Sequence, residues 1–128
     1  MIITLCGSAR FEDLFRIWDE RLTLYGHVVF NLSVMPSSKG GVKNWYTDEI
    51  KQTLDLAHLH KIDLSDAILV LNEDQYIGES TAREVEWAER KGKVIYALDD
   101  SQCATFLPAE ALINGMSQKI FEASEQSQ

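Results

Sequence analysis

A near-continuous apolar run from Asp66 to Asn72 is the feature that most constrains the fold of this chain. Such a run is typical of a strand that is buried on both faces of a parallel sheet. The chain leaves the run through a short loop and enters a helical pattern at Ser80. Parallel strands need long crossover connections, so this one segment already predicts a sheet that is covered by helices.

The same order of strand and helix repeats along the chain. Strand patterns lie at 2–6, 27–32, 66–72 and 94–98, and helical patterns lie at 11–24, 48–62 and 80–91. Gly26 is placed as a C-terminal glycine, and Thr47 or Asp48 as an N-cap. Along the second helix one face is predicted from the spacing of Ile50, Leu54, Ala57 and Lys61.

We therefore expect a single α/β domain over residues 1–128. The predicted architecture is a three-layer sandwich, Rossmann-like or flavodoxin-like, with right-handed crossovers and a mainly parallel sheet of four or five strands. After Asp100 the pattern is weaker, and 106–113 and 116–123 are predicted as short helices. Residues 124–128 are predicted to be a frayed tail.

Composition excludes several classes of function. The 128 residues carry a net charge of −8, which argues against DNA or RNA as a partner. Cys6 and Cys103 have no spacing typical of a zinc site or a redox pair, so we expect two reduced thiols. No apolar run approaches the ~18–20 residues of a membrane helix, and no basic region precedes one at the start. We expect a cytoplasmic protein with no membrane partner.

Small residues follow the first strand, where parallel sheets bind their ligands. Gly7 and Ser8 form a short turn in which backbone N–H groups can face an anion, and Arg10 can add a planar cation. The alternative is that Ser8 is only an N-cap and Arg10 only a solvated residue.

Glu84 is the main catalytic candidate, because it lies one turn into the helix that follows the third strand. A second interpretation is open, since Thr81 and Glu84 match the T-x-x-E capping box. Glu86 points about 200° away around the helix and is expected to face solvent, with Val85 and Ala88 on the core side.

A glycine-rich loop at 33–44 has the length of a functional flap. Beside it, Trp45 and Tyr46 are expected either to stack on a base or to pack as a staple. Asp55, Asp63 and Asp66 can be read simply as acids on a helix face and in a loop. His58 and His60 fall on different faces and do not form a metal pair with one another.

Several signatures are absent from the sequence: the Walker lysine loop, G-x-G-x-x-G after the first strand, H-E-x-x-H and G-x-S-x-G. Phosphoryl transfer, nicotinamide redox chemistry and triad hydrolysis therefore lose support.

Three segments together resemble the nucleoside 2-deoxyribosyltransferase superfamily, which includes deoxynucleoside 5′-monophosphate N-glycosidases. They are CGSAR, HKIDLSDAILVLN and YIGESTAREVEWAERKGKVIYAL, and the resemblance covers residues 1–98. It implies that Gly7, Ser8 and Arg10 lie near the sugar or its 5′-phosphate and that Glu84 is the nucleophile.

The chain also departs from the pattern of that superfamily. The usual aspartate of the second helix is replaced by His58, so the resemblance implies Asp63 or His58 as the second acid, with Asp55 as a substitute if the helix is shifted. The usual Gly-x-Gly before the nucleophile is replaced by the sequence from Gly78 to Thr81, in which Ser80 and Thr81 can bind a phosphate and Glu79 opposes one.

The resemblance implies an N-glycosidase that hydrolyses a small nucleotide through a glycosyl-glutamate intermediate, with no cofactor or metal, acting as a homodimer. Alternatives are a nucleoside 2-deoxyribosyltransferase, a non-catalytic nucleotide sensor and a plain scaffold. Cytokinin nucleosidases rank third among the enzymes, because their Pro-Gly-Gly-x-Gly-Thr-x-x-Glu signature is missing.

Overall fold

The computed structural model describes residues 1–34 and 47–114. The predicted flap from Met35 onward, the pair Trp45 and Tyr46, the predicted helix at 116–123 and the predicted tail lie outside the described residues.

Five strands form one parallel sheet in the order β2-β1-β3-β4-β5. The strands are β1 (Ile2–Cys6), β2 (Val28–Phe30), β3 (Ala67–Val70), β4 (Val94–Ala97) and β5 (Leu107–Pro108). The predicted apolar run supplies the central strand, and all four residues of β3 are buried. The prediction of a parallel α/β sheet is confirmed.

Three helices cover the two faces of this sheet: α1 (Glu12–Leu24), α2 (Asp48–Asp63) and α3 (Glu79–Arg90). Along β1 successive side chains point to opposite faces, as strand geometry requires. Ile3 and Leu5 pack with the buried side chains of α1, whereas Cys6 packs with Ile62 of α2 and Ala88 of α3. The three-layer sandwich is therefore confirmed, with α1 on one face and α2 and α3 on the other.

The helix ends follow the predicted signals closely. The hydroxyl of Thr47 accepts a hydrogen bond from the backbone N–H of Ile50, so Thr47 caps α2. Gly26 has a φ of +91°, the left-handed conformation that favours glycine after a helix. At the other end α1 begins at Glu12, because a 3-10 turn over Ala9–Phe11 precedes it.

The face predicted for α2 from Ile50, Leu54, Ala57 and Lys61 is not the most buried face of the helix. The buried residues of this helix are His58 and Ile62, while the predicted residues are only partly buried. Lys61 turns its ammonium group away from the core and donates hydrogen bonds to the carbonyl of Asn31 at 2.6 Å and to Ser33 Oγ at 2.7 Å. The side of α2 that meets the sheet is thus the side that carries the histidine.

The predicted helix at 106–113 was also wrong. Leu107–Pro108 forms the edge strand β5, and a 3-10 turn follows over Ala109–Leu112. A proline has no N–H to donate, which suits an edge strand. The apolar spacing that suggested a helix comes instead from burial on opposite faces of the sheet. Phe106 is buried on one face, and Ala109 and Leu112 are buried on the other. Within 1–34 and 47–114, no helix is long and apolar enough to cross a membrane.

Candidate active site

A cleft of about 670 Å³ opens at the carboxyl edge of the sheet, beyond β1 and β3. Four parts of the chain line it: residues 7–9 after β1, residues 32–34 after β2, one face of α2 from Thr47 to His58, and residues 76–84 around the start of α3. Ligands of open parallel sheets bind at this edge.

The start of α3 forms one wall of the cleft. Gly78 is the N-cap and makes no side-chain capping bond, so the first N–H groups of the helix are left for a ligand or for water. Thr81 is already inside the helix and is buried. The capping box proposed for Thr81 and Glu84 is therefore wrong, because the helix begins two residues before Thr81.

Glu84 lies one turn behind this helix start and lines the cleft. Its side chain is 15% exposed. The neighbouring carboxylate of Glu86 faces outward, is well exposed and pairs with Arg90 at 2.6 Å. Ala88 is buried and Val85 packs against the same core, as predicted. The geometry of α3 thus turns Glu84, and not Glu86, towards a ligand.

The turn after β1 packs tightly at the floor of the cleft. A Cβ at Gly7 would lie 3.1 Å from the Cβ of Leu71, so a larger residue would push the turn away from the end of β3. Ser8 lines the cleft, and its Oγ also accepts a hydrogen bond from the backbone N–H of Arg10 at 3.3 Å. Ser8 therefore caps a turn and faces the cleft at once.

Arg10 lies at the rim and is exposed. Its guanidinium stacks 3.9 Å from the ring centre of Tyr76, and the edge of the Phe11 ring meets the same tyrosine at a centroid distance of 6.0 Å. Tyr76 itself lines the cleft, whereas Arg10 is not among the lining residues. Tyr76 was not predicted as a site residue, although its place two residues before the N-cap glycine of α3 is a signal for it.

The face of α2 that looks into the cleft carries Lys51, Leu54, Asp55 and His58. These positions are three or four residues apart and therefore share a side of the helix. Lys51 was not predicted as a site residue, and Asp55 was predicted only as a substitute for the second acid. Both could have been found from their spacing to His58.

Asp63 is not brought together with Glu84. Its carboxylate accepts a hydrogen bond from Trp87 Nε1 at 2.8 Å, its backbone carbonyl accepts one from Lys93 Nζ at 3.1 Å, and it does not line the cleft. These bonds tie the end of α2 to α3 and to the turn before β4. The geometry thus supports Asp55, and not Asp63, as the second carboxylate of the site.

A buried cluster of three side chains lies behind the cleft. His58 Nε2 is 3.8 Å from Cys6 Sγ and 3.9 Å from Glu84 Oε2. The same nitrogen donates a hydrogen bond to the carbonyl oxygen of Leu5 at 2.9 Å. Cys6, His58 and Glu84 come from β1, α2 and α3, so only the packing of these elements brings them together.

Burial governs the charge state of this cluster. It raises the pKa of Glu84 to about 8, with a further contribution from the carboxylate of Asp55. Burial lowers the pKa of His58 to about 4, assisted by the positive charge of Lys61. Burial also raises the pKa of the Cys6 thiol well above its usual value. At neutral pH the cluster therefore holds a neutral imidazole, a thiol and a mostly protonated Glu84.

The fold and the cleft define a class: an α/β protein with a parallel five-stranded sheet and a buried carboxyl group at its carboxyl edge. No protein-family model matches the chain, and no curated protein matches it in sequence. Solved structures do share its fold. A 2-deoxyribosyltransferase from Bacillus psychrosaccharolyticus has a TM-score of 0.63 at 15% identity, over 94% of this chain and 96% of the other.

A CMP N-glycosidase from Clostridium botulinum, BcmB, has a TM-score of 0.53 at 16% identity, over 98% of this chain and 99% of the other. The likeness of both structures confirms the fold that the resemblance to the nucleoside 2-deoxyribosyltransferase superfamily implied. It extends over nearly the whole length of each chain.

Proposed function

We propose that this protein cleaves the N-glycosidic bond of a (deoxy)nucleoside 5′-monophosphate, with Glu84 as the nucleophile. The observation that carries the proposal is the position of Glu84, a nearly buried carboxyl group that faces the cleft one turn behind the open N-terminus of α3. The shared fold with a deoxyribosyltransferase and a CMP N-glycosidase supports glycosyl chemistry on a small nucleoside or nucleotide.

In the first step the carboxylate of Glu84 attacks the anomeric carbon, and a glycosyl ester forms as the bond from carbon to the base nitrogen breaks. The base leaves with the electron pair of that bond and needs a proton. Positive charge at the anomeric carbon is offset by the approaching carboxylate, and the ester divides one high barrier into two lower ones.

We assign the transfer of this proton to Asp55. It lies in the cleft on the same face of α2 as His58 and is close enough to Glu84 to raise the pKa of that carboxyl. Glu84 releases its proton to solvent when it ionises, and Asp55 can relay a proton from a water molecule to the departing base. General acid catalysis of this kind contributes ~10²–10⁴ in rate.

His58 has a different role in this scheme. It is neutral at working pH, and its Nε2–H is given to the carbonyl of Leu5, so it is a poor proton donor to the base. Its ring instead fills the space behind Glu84 and limits the positions that the carboxyl group can take.

The 5′-phosphate is assigned to the N-terminus of α3. The first N–H groups of the helix, with the hydroxyls of Ser80 and Ser8, face the cleft and can bind phosphate oxygens. Thr81 and Gly78 shape this end of the helix, and Gly7 allows the turn after β1 to pack against the end of β3. Arg10, stacked on Tyr76, adds positive charge at the rim.

In the second step water attacks the glycosyl ester and releases the sugar phosphate, which regenerates Glu84. If a second base takes the place of water, the same site acts as a deoxyribosyltransferase. The two outcomes are separated by adding a free base to the reaction and following the formation of a new nucleotide by chromatography.

The decisive test is incubation with nucleoside monophosphates and free nucleosides, with base release followed by chromatography. Release from a monophosphate that is lost in Glu84→Gln and kept in Glu86→Gln supports the proposal. If the two variants release base at the same rate, Glu84 is not the nucleophile.

One observation favours a second candidate, a nucleotide sensor. Glu84 is mostly protonated at neutral pH in the empty cleft, and a neutral carboxyl group can hold a ligand without reacting. A monophosphate that raises the melting temperature and is recovered intact at every pH up to 9 would identify a sensor.

We also propose that the protein is a cytoplasmic homodimer, as the resemblance implies. Leu56 on α2 and Leu64, the residue that follows the helix, are 55% and 68% exposed, which suits a surface that meets a second copy. The molar mass from light scattering checks this, and a monomeric mass at high protein concentration would contradict it.

A further inference from the structure

We propose that Cys6, His58 and Glu84 form a binding site for Zn²⁺ behind the cleft, and that the bound ion inhibits the enzyme by occupying the carboxylate of Glu84. The inhibitory part rests on the function proposed above, but the binding of the ion does not.

The distances between the three donor atoms fit one zinc ion. Cys6 Sγ and Glu84 Oε2 lie 3.8 Å and 3.9 Å from His58 Nε2, and all three donors lie within 4.8 Å of one another. With bonds of ~2.3 Å to sulfur and ~2.0–2.1 Å to nitrogen and oxygen, tetrahedral geometry places donor atoms ~3.3–3.7 Å apart. Shifts of a few tenths of an ångström to about 1 Å therefore complete the site.

The chemistry of the donors favours zinc over harder ions. A thiol, an imidazole and a carboxyl group are the side chains that bind Zn²⁺, whereas Mg²⁺ and Ca²⁺ prefer oxygen donors alone. Cys6 lies at the closed end, while His58 and Glu84 line the cleft, so an ion can enter from that side and keep a fourth position for water.

The charges around the cluster also attract a cation. The carboxylate of Asp55 acts on both Glu84 and His58. Two cations act on the cluster, Lys61 on His58 and Arg83 on Glu84, and Lys61 directs its ammonium group to Asn31 and Ser33.

Binding has a definite cost in hydrogen bonds and protons. His58 Nε2 must give up its bond to the carbonyl of Leu5, and the ring proton must move to Nδ1. The thiol of Cys6 and the carboxyl group of Glu84 each lose a proton to solvent as their bonds to zinc form, with no oxidation or reduction. The three metal bonds replace the hydrogen bond of His58 to Leu5 and the contacts of Cys6 with His58 and Glu84.

The first test measures Zn²⁺ and Co²⁺ binding by calorimetry on reduced protein without an affinity tag. We expect one ion per chain and a thiolate-to-cobalt absorption band. Cys6→Ser should remove the band and weaken binding by at least about tenfold, and Cys103→Ser, at a partly buried cysteine outside the three-residue cluster, should change neither. The absence of saturable binding, or equal affinity in Cys6→Ser, would overturn the site.

A second measurement needs no variant. The extended X-ray absorption fine structure at the zinc edge of the loaded wild-type protein should show one sulfur neighbour and otherwise nitrogen or oxygen neighbours. A shell without sulfur would show that the ion lies elsewhere on the protein.

The inhibitory part is tested on base release. One equivalent of Zn²⁺ should stop release and a chelator should restore it. Unchanged release with the site filled would overturn the inhibition. If the metal-free protein releases no base at all, the proposed function fails, while the binding measurements still decide the site.

Discussion

His58 Nε2 lies 3.9 Å from Glu84 Oε2, yet these two groups do not form an ion pair at neutral pH. The pKa of His58 is lowered to about 4 and that of Glu84 is raised to about 8, so both are uncharged between these values. A neutral imidazole and a neutral carboxyl group avoid the cost of burying two charges. The candidate nucleophile is thereby kept inactive until it ionises.

Replacing Glu84 by glutamine should abolish base release while leaving ligand binding in place. The substitution keeps the shape of the side chain and removes the nucleophilic oxygen, so we expect a loss of at least about 10³ in kcat. Mass spectrometry of rapidly quenched wild-type enzyme should show a covalent glycosyl adduct. Glu86→Gln, on the solvent side of the same helix, should keep full activity; an equal loss there would point to a structural effect.

The activity should rise with pH. Only the ionised form of Glu84 attacks, and its pKa in the folded protein is about 8. We therefore expect kcat/KM to increase from pH 6 and to level off above about pH 8. A profile that is flat or falls between pH 6 and pH 9 would contradict a nucleophilic Glu84.

Replacing Asp55 by asparagine should move this ascending limb to lower pH. The carboxylate of Asp55 is a cause of the raised pKa of Glu84, so its removal lowers that pKa. The same substitution removes the assigned proton carrier, and we expect kcat to fall by ~10² or more. Asp63→Asn is the matched control on α2, because Asp63 bonds to Trp87. That control should cost about 1 kcal/mol of stability without moving the pH profile. If Asp63→Asn shifts the pH profile and Asp55→Asn does not, Asp63 and not Asp55 is the acid.

The stability of the protein should also depend on Glu84. Its pKa is raised from about 4.5 to about 8 on folding, so the stability present below pH 4.5 is lost as pH rises through 8. Glu84→Gln does not titrate and should unfold at a higher temperature than wild type above pH 8. This difference should shrink towards pH 5. Melting curves across this range test the prediction, and a difference that is independent of pH would refute it.

Arg10 should contribute to the choice of a phosphorylated substrate. Because its guanidinium lies at the rim beside Tyr76, Arg10→Ala should raise KM for a monophosphate and leave kcat/KM for the free nucleoside nearly unchanged. Arg16→Ala is the control, since Arg16 is exposed on α1 and pairs with Asp13. Equal effects on both substrates would exclude a phosphate role for Arg10.

Much of the fold followed from patterns along the chain. The run from Asp66 to Asn72 predicted the central strand, and the alternation of strand and helix predicted the layers. Thr47 and Gly26 marked helix ends, because capping depends on a few neighbouring residues. The edge strand at Leu107–Pro108 was not predicted, because two residues are too few to show an alternation of apolar and polar side chains. They form a strand only through their pairing with β4.

The sequence by itself determined that Glu84 follows a buried strand near a helix start, and the resemblance to the superfamily implied its role as the nucleophile. It did not determine where α3 begins, and so left a capping box open that the packing of Thr81 excludes. It gave no sign that Cys6 and His58, 52 residues apart, meet Glu84. Only the tertiary structure decided this, because donor distances and the burial that shifts the pKa of each group depend on how β1, α2 and α3 pack together.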